Sequence, residues 1–111
     1  MKDPPAPKNA NRAEAGTHIV SFGGIAVDLV FRRLCIEGAQ YPLTPKEFTL
    51  IFTLLERKGA LVPRKELCAA IGASVGDTAL ENHIHRLRKK LGKYGHLLVS
   101  KRGCGYRIEA T

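Results

Sequence analysis

Residues 78–92 form the segment that most narrows what this chain can fold into. Aliphatic residues recur there at helical spacing, and at about 100° per residue they fall within a stripe of roughly 60°. These residues are Leu80, Ile84, Leu87 and Leu91. Thr78 and Glu81 have the spacing of a capping box, and Gly92 follows at the end. The pattern predicts an amphipathic helix whose apolar stripe is buried and whose opposite face is exposed.

The exposed face of this predicted helix is polar and basic. It carries Asn82, Arg86 and Lys89, flanked by Ala79, His85 and Lys90. An α-helix fits the major groove of B-DNA, where arginine can pair with guanine and asparagine with adenine. Lys89, Lys90 and Lys93 are placed to reach phosphates, and Thr78 can hold one beside the first N–H groups of the helix.

The net charge of +8 is concentrated in one part of the chain. Eight of the 18 basic residues and none of the 10 acidic residues lie between positions 82 and 108. A basic surface of this kind attracts a polyanion such as nucleic acid. A solvated charged face is the other interpretation, and the lack of acidic residues over this stretch disfavours it.

A first helix is predicted well upstream, after a capping box. Thr44 is its expected N-cap, Pro45 its first residue and Glu47 the partner of the cap. Its expected apolar face consists of Phe48, Ile51, Phe52 and Leu55. Gly59 is expected to end the helix at a left-handed position.

A second, short helix is predicted at about residues 64–71, after Pro63 and before Gly72. Its expected inward residues are Leu67, Cys68 and Ile71. A loop of small residues, which begins at Ala73 and ends at Asp77, separates it from the basic helix.

Short strands are predicted on either side of the helices. Apolar segments at 19–22, 25–28, 31–36 and 39–43 are separated by turn residues, which is typical of a small antiparallel sheet. Residues 97–108 predict a β-hairpin with glycines at its turn and Tyr106 as its core anchor. Arg102 at the hairpin tip is long enough to enter a minor groove.

The chain is expected to hold one folded domain, residues 17–111, after a flexible leader or linker at residues 1–16. There is no apolar run long enough to span a bilayer and no secretory signal, so a cytoplasmic location is expected. The three cysteines are odd in number and lack C-x-x-C spacing, which disfavours a disulfide framework or a cysteine zinc site. His83 and His85 point about 160° apart on a helix and cannot share a metal ion.

Three separated motifs resemble one known family. Residues 42–48 read PLTPKEF, residues 83–92 read HIHRLRKKLG, and residues 102–107 read RGCGYR. They resemble, in this order, the opening of the first helix, the recognition helix and the wing of the output domain of OmpR/PhoB-type response regulators. The resemblance covers about residues 18–109.

The resemblance implies an α+β winged helix-turn-helix with an N-terminal four-stranded antiparallel sheet, three helices and a C-terminal β-hairpin wing. It implies a bacterial regulator of transcription in which the third helix reads the major groove of double-stranded DNA and the wing arginine reaches the minor groove. Two copies would bind direct-repeat half-sites head to tail, as a homodimer on DNA. The loop at residues 73–77 would face RNA polymerase, and no catalytic residue, cofactor or metal is implied.

Members of this family also carry a receiver domain that controls them by phosphorylation. This sequence contains none, so it is expected to be either a fragment or a stand-alone regulator. The linker-like leader favours a fragment.

The expected DNA contacts fall into two groups. The base-contacting residues are Asn82, His85, Arg86 and Arg102. The phosphate-contacting residues are Thr78, His83, Arg88, Lys89, Lys90, Lys93 and Lys101. A structural ion pair with Glu81 or Glu56 is an equal alternative for Arg88, and packing is the alternative for His83. Asn82 and His85 differ from the residues common at these positions in the family, so a different base preference is expected.

Two other functions remain open at this stage. Small basic domains often bind RNA or ribosomes, although specific RNA readers usually display aromatic side chains for stacking, and this chain has few aromatics. The same scaffold could also be a protein-interaction module, because a fold alone does not fix function. An enzyme has the least support, since no nucleophile–base pair, metal cluster or phosphate loop stands at usable spacing.

Overall fold

Two antiparallel sheets pack against three helices in the part of the chain that the computed structural model describes, residues 18–109. The N-terminal strands are β1 (Ile19–Phe22), β2 (Ile25–Asp28), β3 (Arg33–Ile36) and β4 (Ala39–Pro42). They are followed by α1 (Pro45–Glu56), β5 (Val62–Pro63), α2 (Arg64–Ile71) and α3 (Ala79–Leu91). A 3₁₀ helix (Gly92–Leu97) then leads into β6 (Leu98–Lys101) and β7 (Gly105–Ile108). The predicted leader, residues 1–16, lies outside the described residues.

The α+β winged-helix prediction is confirmed. The first four strands form one sheet in the order β1-β2-β3-β4, and the C-terminal hairpin follows the three helices. The sequence patterns did not predict β5. This two-residue strand pairs with β7, so the hairpin becomes a three-stranded sheet in the order β5-β7-β6. We call β6, β7 and the turn between them the wing.

Helix α1 lies at the centre of the core and touches both sheets and both other helices. Its buried aliphatic residues include Leu50 and Leu54, which the single predicted face left out, while Phe52 is only half-buried. The predicted face was too narrow because α1 packs against partners on more than one side. The helix also ends at Glu56, before Gly59.

Strand β3 begins at Arg33, two residues later than predicted. The side chain of Asp28 accepts hydrogen bonds from the N–H groups of Val30 and Phe31, at 2.8 and 3.0 Å. The N–H of Arg32 donates to the backbone oxygen of Asp28, and Arg32 has a φ of 58°. Asp28 therefore organises a turn that takes up the residues predicted to start the strand.

The predicted capping box of α1 is confirmed, and it also ties α1 to α3. The Thr44 hydroxyl accepts from the Glu47 N–H, and Glu47 Oε1 accepts from the Thr44 N–H at 3.0 Å. Lys90 Nζ of α3 lies 2.5 Å from the same Oε1 and donates to the Pro42 carbonyl at 3.0 Å. Glu47 is 1% exposed. Burial raises the pKa of this carboxyl, but the hydrogen bonds from Lys90 and Thr44 outweigh burial and hold the pKa below its ordinary value.

The lowered pKa of Glu47 gives a stability that depends on pH. The folded state favours the ionised carboxylate, so its contribution is complete above the ordinary pKa of 4.5 and is lost as the pH falls through the lower folded pKa. We expect Glu47→Gln to lower the unfolding free energy by about 1–2 kcal/mol at neutral pH, with the difference shrinking once the wild-type carboxylate is protonated. Urea denaturation of both proteins across this range measures the difference.

Glu56→Gln is the matched control, because Glu56 is exposed at the end of the same helix. It should change the unfolding free energy by less than about 0.5 kcal/mol. An equal loss for Glu47→Gln at neutral and acidic pH would show that the charge of Glu47 is not what stabilises the fold.

Candidate nucleic-acid interface

Helix α3 presents one buried and one exposed face, as its sequence predicted. Each of its four aliphatic stripe residues is 1% exposed or less. The exposed side chains on the other face are those of Asn82, His85, Arg86 and Lys89. Among the residues that the structure describes, none forms a hydrogen bond or ion pair with these four side chains. Their polar groups are therefore free to meet a ligand.

The start of α3 differs from the prediction. Thr78 has φ −89° and ψ 3°, not the extended backbone of an N-cap, and its side chain caps nothing. The side chain of Asp77 accepts from the Ala79 N–H instead, at 3.1 Å. The predicted capping box of Thr78 and Glu81 is therefore wrong, and Thr78 is an exposed residue at the helix start.

Glu81 forms a bidentate ion pair with Arg64, the first residue of α2. Arg64 Nε lies 2.8 Å from Glu81 Oε2, and Nη2 lies 2.9 Å from Oε1. These hydrogen bonds lower the pKa of Glu81 and raise that of Arg64, so both remain charged. The sequence did not point to Arg64, because no local spacing links it to a residue 17 positions away.

Two of the three basic residues in the last turn of α3, and Lys93 just after it, are held by the protein itself. Arg88 Nε and Nη2 donate to the Leu98 carbonyl at 3.0 and 2.8 Å. The alternative ion pair of Arg88 with Glu81 or Glu56 is therefore wrong, since its partner is a backbone oxygen of the wing. Lys90 is bound to α1 as described above, and Lys93 Nζ lies 2.7 Å from Glu37 Oε2.

The two histidines of α3 lie in different environments. His85 is exposed, whereas His83 is half-buried and its Nδ1 is buried without a hydrogen-bond partner among the described residues. A buried N–H without an acceptor is rare, so the neutral ring is expected to carry its proton on Nε2. In the described part of the chain, no three His, Cys, Asp or Glu side chains are grouped so that they could bind a metal ion.

The wing ends in a tight turn that exposes two basic residues. The Cys104 N–H donates to the Lys101 carbonyl at 2.9 Å, and Gly103 takes a left-handed φ of 75°. Lys101 and Arg102 are exposed, without a side-chain partner in the described part of the chain. Tyr106 is 8% exposed, which confirms its prediction as the core anchor of the hairpin.

The wing tip and the start of α3 border one groove. The groove has a volume of about 280 Å³ and is lined by Arg64, Glu81 and residues 100–106. For α3 and the wing to contact one DNA duplex together, the outer face of α3 and the tip at Arg102 must share one surface. The groove places the tip beside the first turn of α3.

The comparison with known proteins decides the family. The model of the family described as "Transcriptional regulatory protein, C terminal" matches residues 38–108, which include all three helices and the wing. The chain belongs to this family. It is an OmpR/PhoB-type DNA-binding output domain of the response-regulator class, as the three sequence motifs implied.

Relatives and solved structures agree with this assignment. The chain is 33% identical over 90 residues to the response regulator PmrA of Pseudomonas aeruginosa, a match that covers 78% of this chain and 40% of PmrA. It is similar to the DNA-binding domain of the response regulator AdeR, solved in complex with an intercistronic region (TM-score 0.71, 25% identity, 83% and 99% of the two chains). The Klebsiella pneumoniae RstA DNA-binding domain, solved in complex with the RstA box, is also similar (TM-score 0.70, 26% identity, 82% and 96%).

This domain spans 40% of the length of PmrA and less than half of the length of other curated relatives that it matches. Within residues 18–109, no helix has the length and apolar character needed to cross a membrane.

Proposed function

We propose that this domain regulates transcription by binding a specific sequence of double-stranded DNA, with α3 in the major groove and the wing tip in the adjacent minor groove. The observation that carries this proposal is the position of Arg86, exposed and unpaired on α3 within the described chain, on a helix that begins beside the tip bearing Arg102. The solved DNA complexes of AdeR and RstA support it.

The proposed base contacts are those of Asn82, His85, Arg86 and Arg102. Thr78, Lys89 and Lys101 are exposed and are proposed to hold phosphates, and His83 would donate its outward Nε2 proton to one. Lys90 and Lys93 keep further N–H donors beside their internal partners and are proposed as secondary phosphate contacts. The guanidinium of Arg88 is proposed to hold α3 against the wing, with any phosphate contact secondary to that role.

The wider assembly is proposed by analogy with the family. Two copies would bind direct-repeat half-sites head to tail as a homodimer on DNA, inside the bacterial cytoplasm. RNA polymerase would meet the loop at residues 73–77, where Val75 is 54% exposed. A receiver domain in the same full-length protein is supported by the greater length of the relatives. The domain itself is proposed to have no enzymatic activity.

RNA binding has weaker support. Phe31 and Tyr41 are exposed aromatic residues, but they lie in the turn before β3 and on β4 and belong to neither α3 nor the wing. Because specific single-stranded RNA recognition relies on stacking, a basic helix that itself carries no Phe, Tyr or Trp fits a DNA groove better.

Selection of bound sequences from a random duplex pool, near physiological salt, tests the proposed function. We expect a defined motif, repeated in one orientation at a spacing near one helical turn of DNA, about 10–11 base pairs. Structured RNA should compete poorly against the selected duplex. Recovery of no motif, or preferential competition by RNA, would contradict specific duplex recognition.

A further inference from the structure

We infer that Arg64 is a positioning residue that fixes the wing tip and helix α3 in a single geometry, so that sequence specificity depends on a side chain that reads no base. The inference rests on the proposed function, because it concerns how the DNA-reading surface is held together. It assigns a role to a residue that neither the sequence motifs nor the expected contacts included.

The guanidinium of Arg64 joins two segments that follow it in the chain. Its Nε and Nη2 groups donate to the Glu81 carboxylate in the first turn of α3. It also donates to the Asp77 carbonyl at 2.9 Å and to the Val75 carbonyl, both in the loop that leads into α3. The position at which α3 starts is therefore set from α2 by one planar group.

The backbone of Arg64 joins the same residue to the wing. Its N–H donates to the Cys104 carbonyl at 3.0 Å, next to the β5–β7 pairing of Pro63 with Gly105. Arg64 thus bonds the wing turn through its main chain and α3 through its side chain. No other described residue is bonded both to this turn and to the first turn of α3.

Arg64 differs from the exposed lysines and arginines because most of its N–H donors are already occupied. A guanidinium has five N–H donors, and the four hydrogen bonds to Glu81, Asp77 and Val75 occupy most of them. Its side chain is 29% exposed and borders the groove beside the wing tip. The guanidinium is therefore built into the protein and has little capacity left for a phosphate.

Two substitutions of Arg64 distinguish positioning from direct contact. Arg64→Lys keeps the charge but cannot form the planar fork, whereas Arg64→Gln loses both. A positioning role predicts that both variants lose roughly tenfold in the ratio of specific to random DNA binding, the scale of one misplaced bidentate base contact, with the salt slope unchanged. A direct phosphate contact predicts instead that Lys preserves binding and that Gln lowers the salt slope by about one.

Glu81→Gln gives a prediction of opposite sign for the two kinds of DNA. It removes a negative charge from the reading surface, so random DNA should bind more tightly. It also releases Arg64, so the specificity ratio should fall. Arg57→Gln is the matched control for Arg64→Gln, because Arg57 also forms an ion pair with a glutamate, Glu66. This exposed pair links the end of α1 to α2, so its loss should leave the ratio of specific to random binding unchanged.

Amide hydrogen-exchange rates of the free protein test the role of Arg64 without DNA. In the Arg64 variants, the amides of Asp77 and Cys104, both hydrogen-bonded in local turns, should exchange faster than in the wild type, while core amides of α1 keep their protection. Unchanged exchange at both amides, or a rescued specificity ratio in Arg64→Lys, would overturn the inference. A wild-type protein that prefers no DNA sequence would overturn the proposed function, and the exchange rates would still settle whether Arg64 positions the surface.

Discussion

Replacing Arg86 with alanine should lower affinity for the selected DNA sequence by about 10- to 100-fold, while affinity for random duplex DNA falls only a few-fold. Arg86 is exposed on α3 with no partner in the described part of the chain, so its guanidinium is free to pair with guanine. Loss of a bidentate base contact penalises the correct sequence alone. Fluorescence anisotropy titrations with both duplexes measure the two affinities.

Two control variants separate base recognition from simple loss of charge. Lys89→Ala, on the same face of α3, should weaken specific and random binding alike and reduce the salt slope by about one. Arg33→Ala removes an exposed arginine on β3, in the N-terminal sheet, and should change neither affinity by more than about twofold. Equal losses from Arg86→Ala and Lys89→Ala on both duplexes would rule out base recognition by Arg86.

Local patterns in the sequence predicted the three helices that position the proposed DNA contacts. The apolar stripe of α3, the bounds of α2 and the capping box of α1 each depend on residues within a single short segment of the chain. Such patterns are readable because side-chain spacing and backbone hydrogen bonds act over a few residues. The family motifs lie at the start of α1, on α3 and on the wing, which is why the fold could be predicted from the sequence.

Contacts between distant segments could not be predicted in this way. The pair of Arg64 with Glu81 and the bond from Arg88 to the Leu98 carbonyl depend on how three elements meet in space. Strand β5 has only two residues and exists because β7 lies beside it. The Thr78 cap failed for a related reason, since the loop sets a backbone conformation at Thr78 that its sequence pattern does not reveal.

The internal bonds of α3 also change how its charge is interpreted. A count of charges cannot show which lysines and arginines of residues 82–108 are available to a polyanion. In the structure, Arg88, Lys90 and Lys93 bind the wing, α1 and the β3–β4 turn. The unpaired basic residues that we propose as the main DNA contacts are therefore fewer than the basic residues at positions 82–108. They are Arg86, Lys89, Lys101 and Arg102.

Gly105→Ala should destabilise the domain by at least about 3 kcal/mol, because β5 and β7 meet too closely for a side chain. A Cβ on residue 105 would lie 2.0 Å from the Val62 carbonyl oxygen and 2.9 Å from the Pro63 Cα. These are backbone atoms of the paired strand, and Val62 is fully buried, so neither can move without loss of the β5–β7 pairing. Urea denaturation measures the change in unfolding free energy.

Two other glycines separate this clash from the general effect of adding a methyl group. Gly76→Ala should lie within about 0.5 kcal/mol of the wild type, since no atom lies within 4 Å and its φ is not left-handed. Gly103→Ala adds left-handed strain in open space and should cost about 1 kcal/mol. A Gly105→Ala protein no less stable than Gly103→Ala would show that β5 and β7 tolerate separation.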